Sequence, residues 1–297
     1  MDGVTPGMTV GAGTEARAAE VLLLQICDSV FPIGAYSHSY GLEIYIQLGL
    51  VHDGATAWQF VERQIRFPLT YTELLCMRLA FDAAQAGDLE RIALEEACMA
   101  VSKVPDETRT ASQKMAARFC KTAAGFLEGE ATKRFSAYVA GKEVASDDYA
   151  DAVASPMRGG IVSPSGGAIG VAVPERKGPA FSEGGAAVAP CARPVRRPVH
   201  MDNAAYGVFA ALAGVDEVEL LRRYLHSQVS AMVANCVKTV PLSQTAGQRL
   251  LFRSAALQVE AVETALHASK DLLGLSMPGF DVRCIEHETL YSRLYMS

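Results

Sequence analysis

The chain has 297 residues, of which 50% are hydrophobic and 20% are charged, and its formal net charge is −6. This length and apolar content allow one large domain or two modest ones. The negative charge argues against nucleic acid as a partner, because phosphate binding requires a basic face. No window approaches 18 uncharged apolar residues, so no membrane-spanning helix and no membrane partner are predicted.

The first 17 residues are predicted to form a flexible leader. They contain no basic segment followed by an apolar run, so no signal peptide is expected. The seven cysteines form no CxxC pair, and most of them stand in apolar helical patterns, where cysteine acts as a small buried hydrophobe. This usage is typical of reduced thiols and predicts a cytoplasmic protein without a zinc site.

Residues 18–145 are predicted to form an N-terminal helical half. Apolar residues recur there at three- and four-residue steps, whereas the alternation typical of strands is scarce. Pro105 suits the first turn of a helix, and Asp106 and Glu107 suit the dipole at its N-terminus. Pro68 separates two predicted helices. The predicted helices span 18–28, 39–48, 55–67, 69–86, 89–102, 105–127 and 132–140.

Residues 146–199 break the helical pattern. Positions 155–198 contain 8 Gly and 7 Pro among 44 residues and carry a net charge of +4. Such a composition buries too little apolar surface to offset the entropy lost on ordering, so a long disordered insertion is predicted. A solvated tether is the simpler interpretation, and attraction of an acidic partner by its basic residues is the alternative.

Residues 200–297 are predicted to form the C-terminal helical half of the same domain. The strongest periodic signal runs from Val218 to Val240, with Asp216 as the N-cap and Pro241 as the stop. Helices are predicted at 203–213, 216–240 and 244–271, and Leu273, Gly274 and Pro278 are predicted to end the last of them. The two halves together predict an all-α protein, a single-domain bundle of about ten helices with one long insertion.

The sequence contains no signature of a serine hydrolase, a zinc protease or a P-loop nucleotide-binding protein. Pro32 and Gly34 are predicted to break one helix, and Ser37 or Ser39 to cap the next, which Gly41 lets pack closely. Ser37, His38 and Ser39 are adjacent, but neighbouring side chains on a helix do not face each other. A small-molecule enzyme with His38 and Glu43 as acid and base is one alternative, although a spacing of five leaves them off one helical face. We predict no catalytic residue.

No set of histidines and cysteines predicts a metal site. His287 stands between two carboxylates in the stretch IEHE, but a metal needs convergent ligands, so a solvated or hydrogen-bonded histidine is expected. A transient contact of a metal with His38 or Cys27 is the alternative, and for Cys27 burial in the core is the simpler interpretation. We therefore predict no metal ligand.

The stretch KTVPLSQTAGQRLL, residues 238–251, places several polar side chains around a proline-broken junction of two helices. Gln244 and Gln248 are four residues apart and share one helix face. Gly247 between them leaves a bare position, which usually permits close approach of another backbone. A tight intramolecular helix crossing and a docking site for another protein both fit this pattern.

The C-terminal stretch HETLYSRLYMS, residues 287–297, interleaves leucine and tyrosine with charged residues. Tyrosine and arginine are enriched among interface anchors. A terminus of this content is either packed onto its own core or ordered by a partner. We expect a partner.

Four blocks of the chain, in this order and spacing, resemble the urease accessory protein UreF family. They are PIGAYSHSYGLE from residue 32, ETRTAS with KM at 107–115, VKTVPLSQTAGQ from residue 237, and HETLYSRLY from residue 287. Each block is weak alone, but the series is specific and spans about residues 21–297 apart from the insertion. Family members commonly have Gly where Ser243 stands here, and the segment from about 146 to 197 has no recognised counterpart.

The resemblance implies an all-α, non-catalytic protein that forms a homodimer. Such proteins bind UreD, called UreH in some systems, and as a pair of heterodimers recruit the GTPase UreG. The assembly delivers nickel to the urease apoprotein, so the chain itself carries no cofactor, the complex handles nickel, and UreG binds GTP. A generic α-helical adaptor of another complex is the alternative.

The resemblance also implies which residues bind partners. The junction block would present the surface that faces the GTPase or the second copy, and the C-terminal block would contact UreD or UreH. The predicted partner-binding residues are Gly34, His38, Ser39, Gly41 and Glu43 in the N-terminal block, Lys238, Gln244, Gly247, Gln248 and Arg249 at the junction, and His287, Glu288, Tyr291, Ser292 and Arg293 in the C-terminal block.

Overall fold

A computed structural model describes residues 12–35, 38–141 and 200–291 of the chain. These residues form helices and no β-strand, so the prediction of an all-α bundle is confirmed. No helix in the described ranges is both long and apolar enough to cross a membrane. The insertion predicted at 146–199 and most of the predicted leader lie outside the described residues.

The helices of the N-terminal half follow the predicted order. They are α1 (Ala12–Ile26), α2 (Leu42–Gln47), α3 (Gly54–Gln64), a π-helix (Ile65–Leu74), α4 (Leu75–Ala86), α5 (Leu89–Ser102), α6 (Asp106–Ala123) and α7 (Gly129–Ala140). The C-terminal half contains α8 (Asp202–Leu212), α9 (Glu217–Thr239), α10 (Gln244–Arg253), α11 (Ala255–His267) and α12 (Pro278–Glu288). Short 3₁₀ turns span Ala124–Phe126 and Lys270–Leu272.

The helix break predicted at Pro68 is wrong. α3, the π-helix and α4 follow one another without interruption, and Pro68 lies inside the π-helix. The wider π-turn removes the need for an α-helical hydrogen bond from the proline nitrogen, and the Thr70 hydroxyl donates to the Ile65 carbonyl at 2.6 Å. Burial of Ile65, Leu69 and Leu74 keeps this segment packed in the core.

The long helix predicted at 244–271 is also wrong, because the chain bends at Ser254 and forms two helices. The Ser254 hydroxyl donates to the Leu251 carbonyl at 2.6 Å and accepts from the Gln258 amide at 2.7 Å. Sequence analysis missed α12 altogether. Pro278 was interpreted as a stop, whereas it occupies the first turn of this helix, which proline also suits.

The core is centred where α8 crosses α4. Gly207 of α8 touches the α4 backbone, because a Cβ at this position would overlap the Met77 carbonyl oxygen. Beside the crossing, the ring of Phe119 from α6 lies 4.1 Å from that of Tyr206 and 5.6 Å from that of Phe209. Since Phe119 belongs to the N-terminal half and the other two rings to the C-terminal half, both halves share one core.

The cysteines of the described ranges are free thiols, and Cys76, Cys120, Cys236 and Cys284 are buried. Burial raises the pKa of Cys120 and of Cys236 to about 12. Cys27 is partly buried, and desolvation, opposed by the charge of Arg223, raises its pKa to about 12. These thiols therefore stay protonated at neutral pH and act as small core side chains.

His200, where the description of the C-terminal half begins, bonds to the N-terminal half. Its Nδ1 lies 3.1 Å from Glu96 Oε2, and its Nε2 lies 3.2 Å from the Val139 carbonyl oxygen. The same glutamate accepts hydrogen bonds from the Tyr138 hydroxyl at 2.8 Å and from the Met201 backbone at 3.0 Å. Because both ring nitrogens face acceptors, the protonated ring fits this site best.

We expect the stabilisation provided by His200 to be lost as pH rises. Burial by itself lowers the pKa of His200, but the hydrogen bond and charge of Glu96, with the Val139 carbonyl, outweigh it and raise the pKa above 6.5. A group whose pKa is raised on folding stabilises the folded state fully at a pH below its unfolded pKa. This stabilisation is lost as the pH rises through its folded pKa. Denaturant unfolding of the chain and of His200→Gln between about pH 6 and pH 9 should give stabilities that converge at high pH.

The exposed His267 supplies the matched control, since its side chain is 81% exposed. His267→Gln should follow the wild-type pH profile throughout. A stability difference between the chain and His200→Gln that stays constant across this pH range would contradict the role of the protonated ring.

Candidate functional site

The N-terminal block forms an elbow, defined here as residues 31–35 and 38–43, between α1 and α2. Tyr40 and Gly41 adopt positive φ angles of 53° and 70°, which turn the chain sharply into α2. Ser39 was predicted to cap this helix, and that prediction is wrong, because Gly41 is the N-cap and no side chain caps the helix. Ser37, the other predicted cap, lies outside the described residues.

Two glycines of the elbow allow close packing. A Cβ at Gly41 would lie 2.9 Å from Cys284 Sγ, so the missing side chain lets α12 pack against the elbow. A Cβ at Gly34 would overlap the guanidinium of Arg118, which donates to the Ile33 carbonyl at 2.9 Å. The elbow is thus held against α12 on one side and against α6 on the other.

His287 of α12 lies at the meeting point of three sequence blocks. Its Nε2 is 3.1 Å from Glu43 Oε2 in α2, and its Nδ1 is 3.2 Å from Glu107 Oε2 in α6. Glu288 accepts a hydrogen bond from the Glu107 backbone at 3.0 Å. We call Glu43, Glu107, His287 and Glu288 the His287 cluster. The His287 side chain is 0% exposed, so of the two predicted states the hydrogen-bonded one is observed and the solvated one is not.

The His287 cluster is suited to holding helices together. An imidazolium donates from both nitrogens and so satisfies both carboxylates. His38 and Glu43, the acid and base of the alternative enzyme hypothesis, are only 6% and 7% exposed. Within the described ranges, no group of three or more His, Cys, Asp or Glu side chains is arranged to hold a metal ion.

α9 also holds the elbow. The Asn235 side chain donates to the His38 carbonyl at 2.9 Å, and the Tyr40 hydroxyl donates to the Gln228 side chain. Ser39 is buried, and its hydroxyl has no hydrogen-bond partner among the described residues. Sequence analysis missed Asn235, because an asparagine inside an apolar helix carries no local signal of its distant partner.

Glu107 was also missed as a site residue, although it stands in the ETRTAS block. Its place in the first turn of α6 suited the helix dipole, and this local explanation concealed its contact with a histidine 180 positions later. The block's resemblance to a family was the one signal that could have identified it.

The junction block connects α9 to α10 at the surface. Ser243 caps α10, since its hydroxyl accepts from the Ala246 backbone at 3.1 Å. Gly247 is buried, and a Cβ there would overlap the Val237 side chain of α9. Of the two roles predicted for this glycine, the tight intramolecular crossing is the one observed here.

The outer side of the junction is exposed. Gln244, Gln248 and Phe252 follow at four-residue steps, and we call them the α10 face. Phe252 is 84% exposed; sequence analysis missed it because an apolar residue in a helical pattern is assigned to the core. Lys238 and Arg249 are exposed nearby in the chain.

The C-terminal block leaves the core after the His287 cluster. Glu288 is partly buried and Tyr291 is fully exposed. Ser292 and Arg293 lie outside the described residues. The predicted partner-binding residues thus divide into a buried or partly buried group around the elbow and His287 and an exposed group at the junction and at Tyr291, with Gly247 buried beneath the junction.

Comparison with known proteins gives the family of this fold. The UreF family model matches residues 51–255, which run from the loop before α3 to the start of α11. The chain belongs to the UreF family. Three relatives described as urease accessory protein UreF, from Actinobacillus pleuropneumoniae and from its serotype 5b (strain L20) and serotype 3 (strain JL03), are each 28% identical over 275 residues, covering 93% of this chain and 97% of theirs.

The UreF family model and the relatives cover different parts of the site. The model includes Glu107 and the whole α10 face, whereas Glu43 and His287 lie outside the matched range. The relatives extend the similarity over nearly the whole chain. Three of the four resemblance blocks meet at the His287 cluster, and the fourth forms the exposed junction.

Proposed function

We propose that this protein is a non-catalytic chaperone of urease maturation. It acts in the cytoplasm as a homodimer, binds UreD or UreH, and recruits the GTPase UreG, so that the assembly inserts nickel into the urease apoprotein. Nickel is the cargo of the complex. UreG binds GTP, and the scaffold modulates the hydrolysis of this GTP by UreG. Membership of the UreF family over residues 51–255 carries this proposal, and the relatives' name, urease accessory protein, supports it.

The α10 face is the surface that we assign to UreG or to the second copy of the chain. An exposed aromatic ring with arginine and amide groups beside it is typical of an interface anchor. Phe252 provides the ring, Gln244 and Gln248 provide the amides, and Arg249 provides the guanidinium. Gly247 keeps this helix tight against α9, so the face is presented on a rigid support.

α12 and the residues that follow it are the surface that we assign to UreD or UreH. Val282 and Ile285 are 50% and 43% exposed, and Tyr291 extends beyond them. The His287 cluster fixes α12 against the elbow and α6, so its buried members act on partner binding through position. Glu43 and His287 are therefore positioning residues, not contact residues.

Pull-down of the tagged chain, co-expressed with UreD or UreH and with UreG, tests these assignments. Phe252→Ala should weaken UreG binding, measured as retained UreG, or dimerisation, measured by light scattering, at least about fivefold, because interface anchors of this kind cost more than 1 kcal/mol on truncation. Retention of UreD or UreH should stay unchanged. Val101→Ala, which truncates another exposed apolar residue at the end of α5, is the matched control.

Two outcomes would count against the proposal at different levels. If Phe252→Ala changes neither UreG retention nor the dimer content, the α10 face has been assigned wrongly while the chaperone role stands. If the unmodified chain retains neither UreD or UreH nor UreG, the generic helical adaptor is the better hypothesis.

A further inference from the structure

A cavity of about 60 Å³ lies between the π-helix, the N-terminal ends of α6 and α8, and the start of α12. Of the residues assigned to partner binding above, His38 is the one that lines it. The polar side chains on its wall that bear on the choice of occupant come from α3, the π-helix, the end of α5, α8, α9 and α12. They are Gln64, Thr72, Glu73, Lys103, Asp202, Tyr224 and Asp281.

Two side chains on this wall are buried with unused hydrogen-bonding capacity. Gln64 is 1% exposed and Thr72 is 6% exposed, and neither Gln64 Nε2 nor Thr72 Oγ1 has a hydrogen-bond partner in the described part of the chain. Buried polar groups in native proteins are nearly always hydrogen-bonded. The amide N–H of Gln64 therefore calls for an occupant that offers an acceptor.

The charges around the cavity limit what the occupant is. Glu73 pairs with Lys103 and accepts from Asn203 at 3.1 Å, and Asp202 accepts from Ser112. The carboxylates of Glu73, Asp202 and Asp281 thus stand against the ammonium of Lys103, which disfavours an anion in this site. A simple cation would leave the Gln64 donor without an acceptor. An uncharged molecule with both an acceptor and N–H donors satisfies both conditions.

The rest of the wall is apolar and sets the shape of the occupant. Pro68, Leu69, Met115 and Phe280 line the cavity. Its volume leaves room for about two water molecules, or for one organic molecule of about four non-hydrogen atoms. Water would pair with the polar side chains but would leave these apolar walls without a packing partner, whereas a small amide has a carbonyl oxygen, N–H donors and an apolar face.

We propose that this cavity is a binding site for a small uncharged amide of the size of acetamide or urea. The carbonyl oxygen of the amide accepts from Gln64 and from the Thr72 hydroxyl, its N–H groups face Asp202 and Glu73, and its remaining surface packs on Leu69 and Met115. The site is separate from the α10 face and the His287 cluster, so it does not depend on the proposed chaperone role.

Saturation-transfer NMR on the purified full chain tests this site with acetamide and urea as probes. Acetate and methylammonium are the charged probes of similar size. Acetamide and urea should bind in the millimolar range, and acetate and methylammonium should not bind. Ala111→Leu fills the cavity from α6 and should abolish the signal.

Thr72→Val removes one unpartnered hydroxyl and should weaken acetamide binding at least tenfold. Thr70→Val is its matched control, because Thr70 lies on the same π-helix, donates to the Ile65 carbonyl and is absent from the cavity wall; it should bind acetamide as the unmodified chain does. The proposal is overturned if neither acetamide nor urea gives a saturation-transfer signal, which would mean that water alone fills the cavity. It is also overturned if acetate or methylammonium binds as well as acetamide, or if Ala111→Leu binds acetamide as the unmodified chain does.

Discussion

Substitution of His287 by leucine should lower the free energy of unfolding by about 3–5 kcal/mol, because removing one partner of a buried ion pair leaves uncompensated charge in the core. Here two carboxylates lose the same imidazole at once. Glu43 and Glu107 lie 3.1 and 3.2 Å from the ring nitrogens, and their side chains are only 9% and 16% exposed. Urea unfolding followed by circular dichroism measures the change.

The second readout is partner binding, since the His287 cluster fixes α12. His287→Leu should reduce retention of UreD or UreH more than retention of UreG. His267→Leu, at an exposed histidine that ends α11, should change neither stability nor binding appreciably. A loss of stability below about 1 kcal/mol for His287→Leu, the scale of a surface pair, would show that the cluster is not a buried ion pair in solution.

A double-mutant cycle with Glu43→Gln separates the ion pair from the loss of packing. Glu43→Gln alone should be destabilising, because His287 loses one charged acceptor. In the double variant Glu43→Gln with His287→Leu, the penalty should be smaller than the sum of the two single changes by about 0.5–3 kcal/mol, the range for residues in direct contact. Additive effects would indicate that the two side chains act independently.

Gly207→Ala should destabilise the chain by about 2 kcal/mol or more, since extra atoms in a packed core force backbone shifts. The added methyl group would overlap the Met77 carbonyl oxygen and lie 3.1 Å from the Phe81 backbone nitrogen. Those atoms belong to the α4 backbone and have no rotamer with which to move aside. α8 and α4 would have to separate, which would loosen the aromatic contacts beside the crossing.

Gly279→Ala is the matched control for this prediction. Gly279 is also helical, and a Cβ there meets no atom within 4 Å. Alanine is favoured over glycine in helices by about 1 kcal/mol, so this variant should be neutral or slightly more stable than the unmodified chain. Thermal unfolding of both variants decides the matter, and equal melting temperatures would contradict the tight crossing.

Much of the fold could be predicted from local signals. α5 was predicted at its observed bounds, and α9 lies within one residue of its prediction at each end, because hydrophobic periodicity and Asp216 as N-cap are local features. Proline was less reliable. Pro68 was assigned to a break and Pro278 to a stop, since the same residue suits a boundary, a π-turn or a first turn, and only packing selects among these.

The candidate site was predicted as a set of residues but not as an arrangement. The resemblance identified Gly41, Glu43 and His287 as important, yet it assigned them to contacts with partners. Gly41 instead makes room for α12, and the other two are paired in the protein interior. Glu107 and Asn235 were missed because their partners lie far away in the chain. Phe252 was missed because only the folded chain shows that its ring is exposed.

The sequence by itself determined that this protein is all-α, where most helices lie, and to which family it belongs, because periodicity, capping and motif order are properties of neighbouring residues. The tertiary structure alone decided which polar residues are buried and which are displayed. His287 and Glu43 are 244 positions apart, and their pairing arises only when α12 packs against the elbow. Desolvation and charge pairing act through space, so a carboxylate in a sequence does not reveal whether it faces water or a histidine.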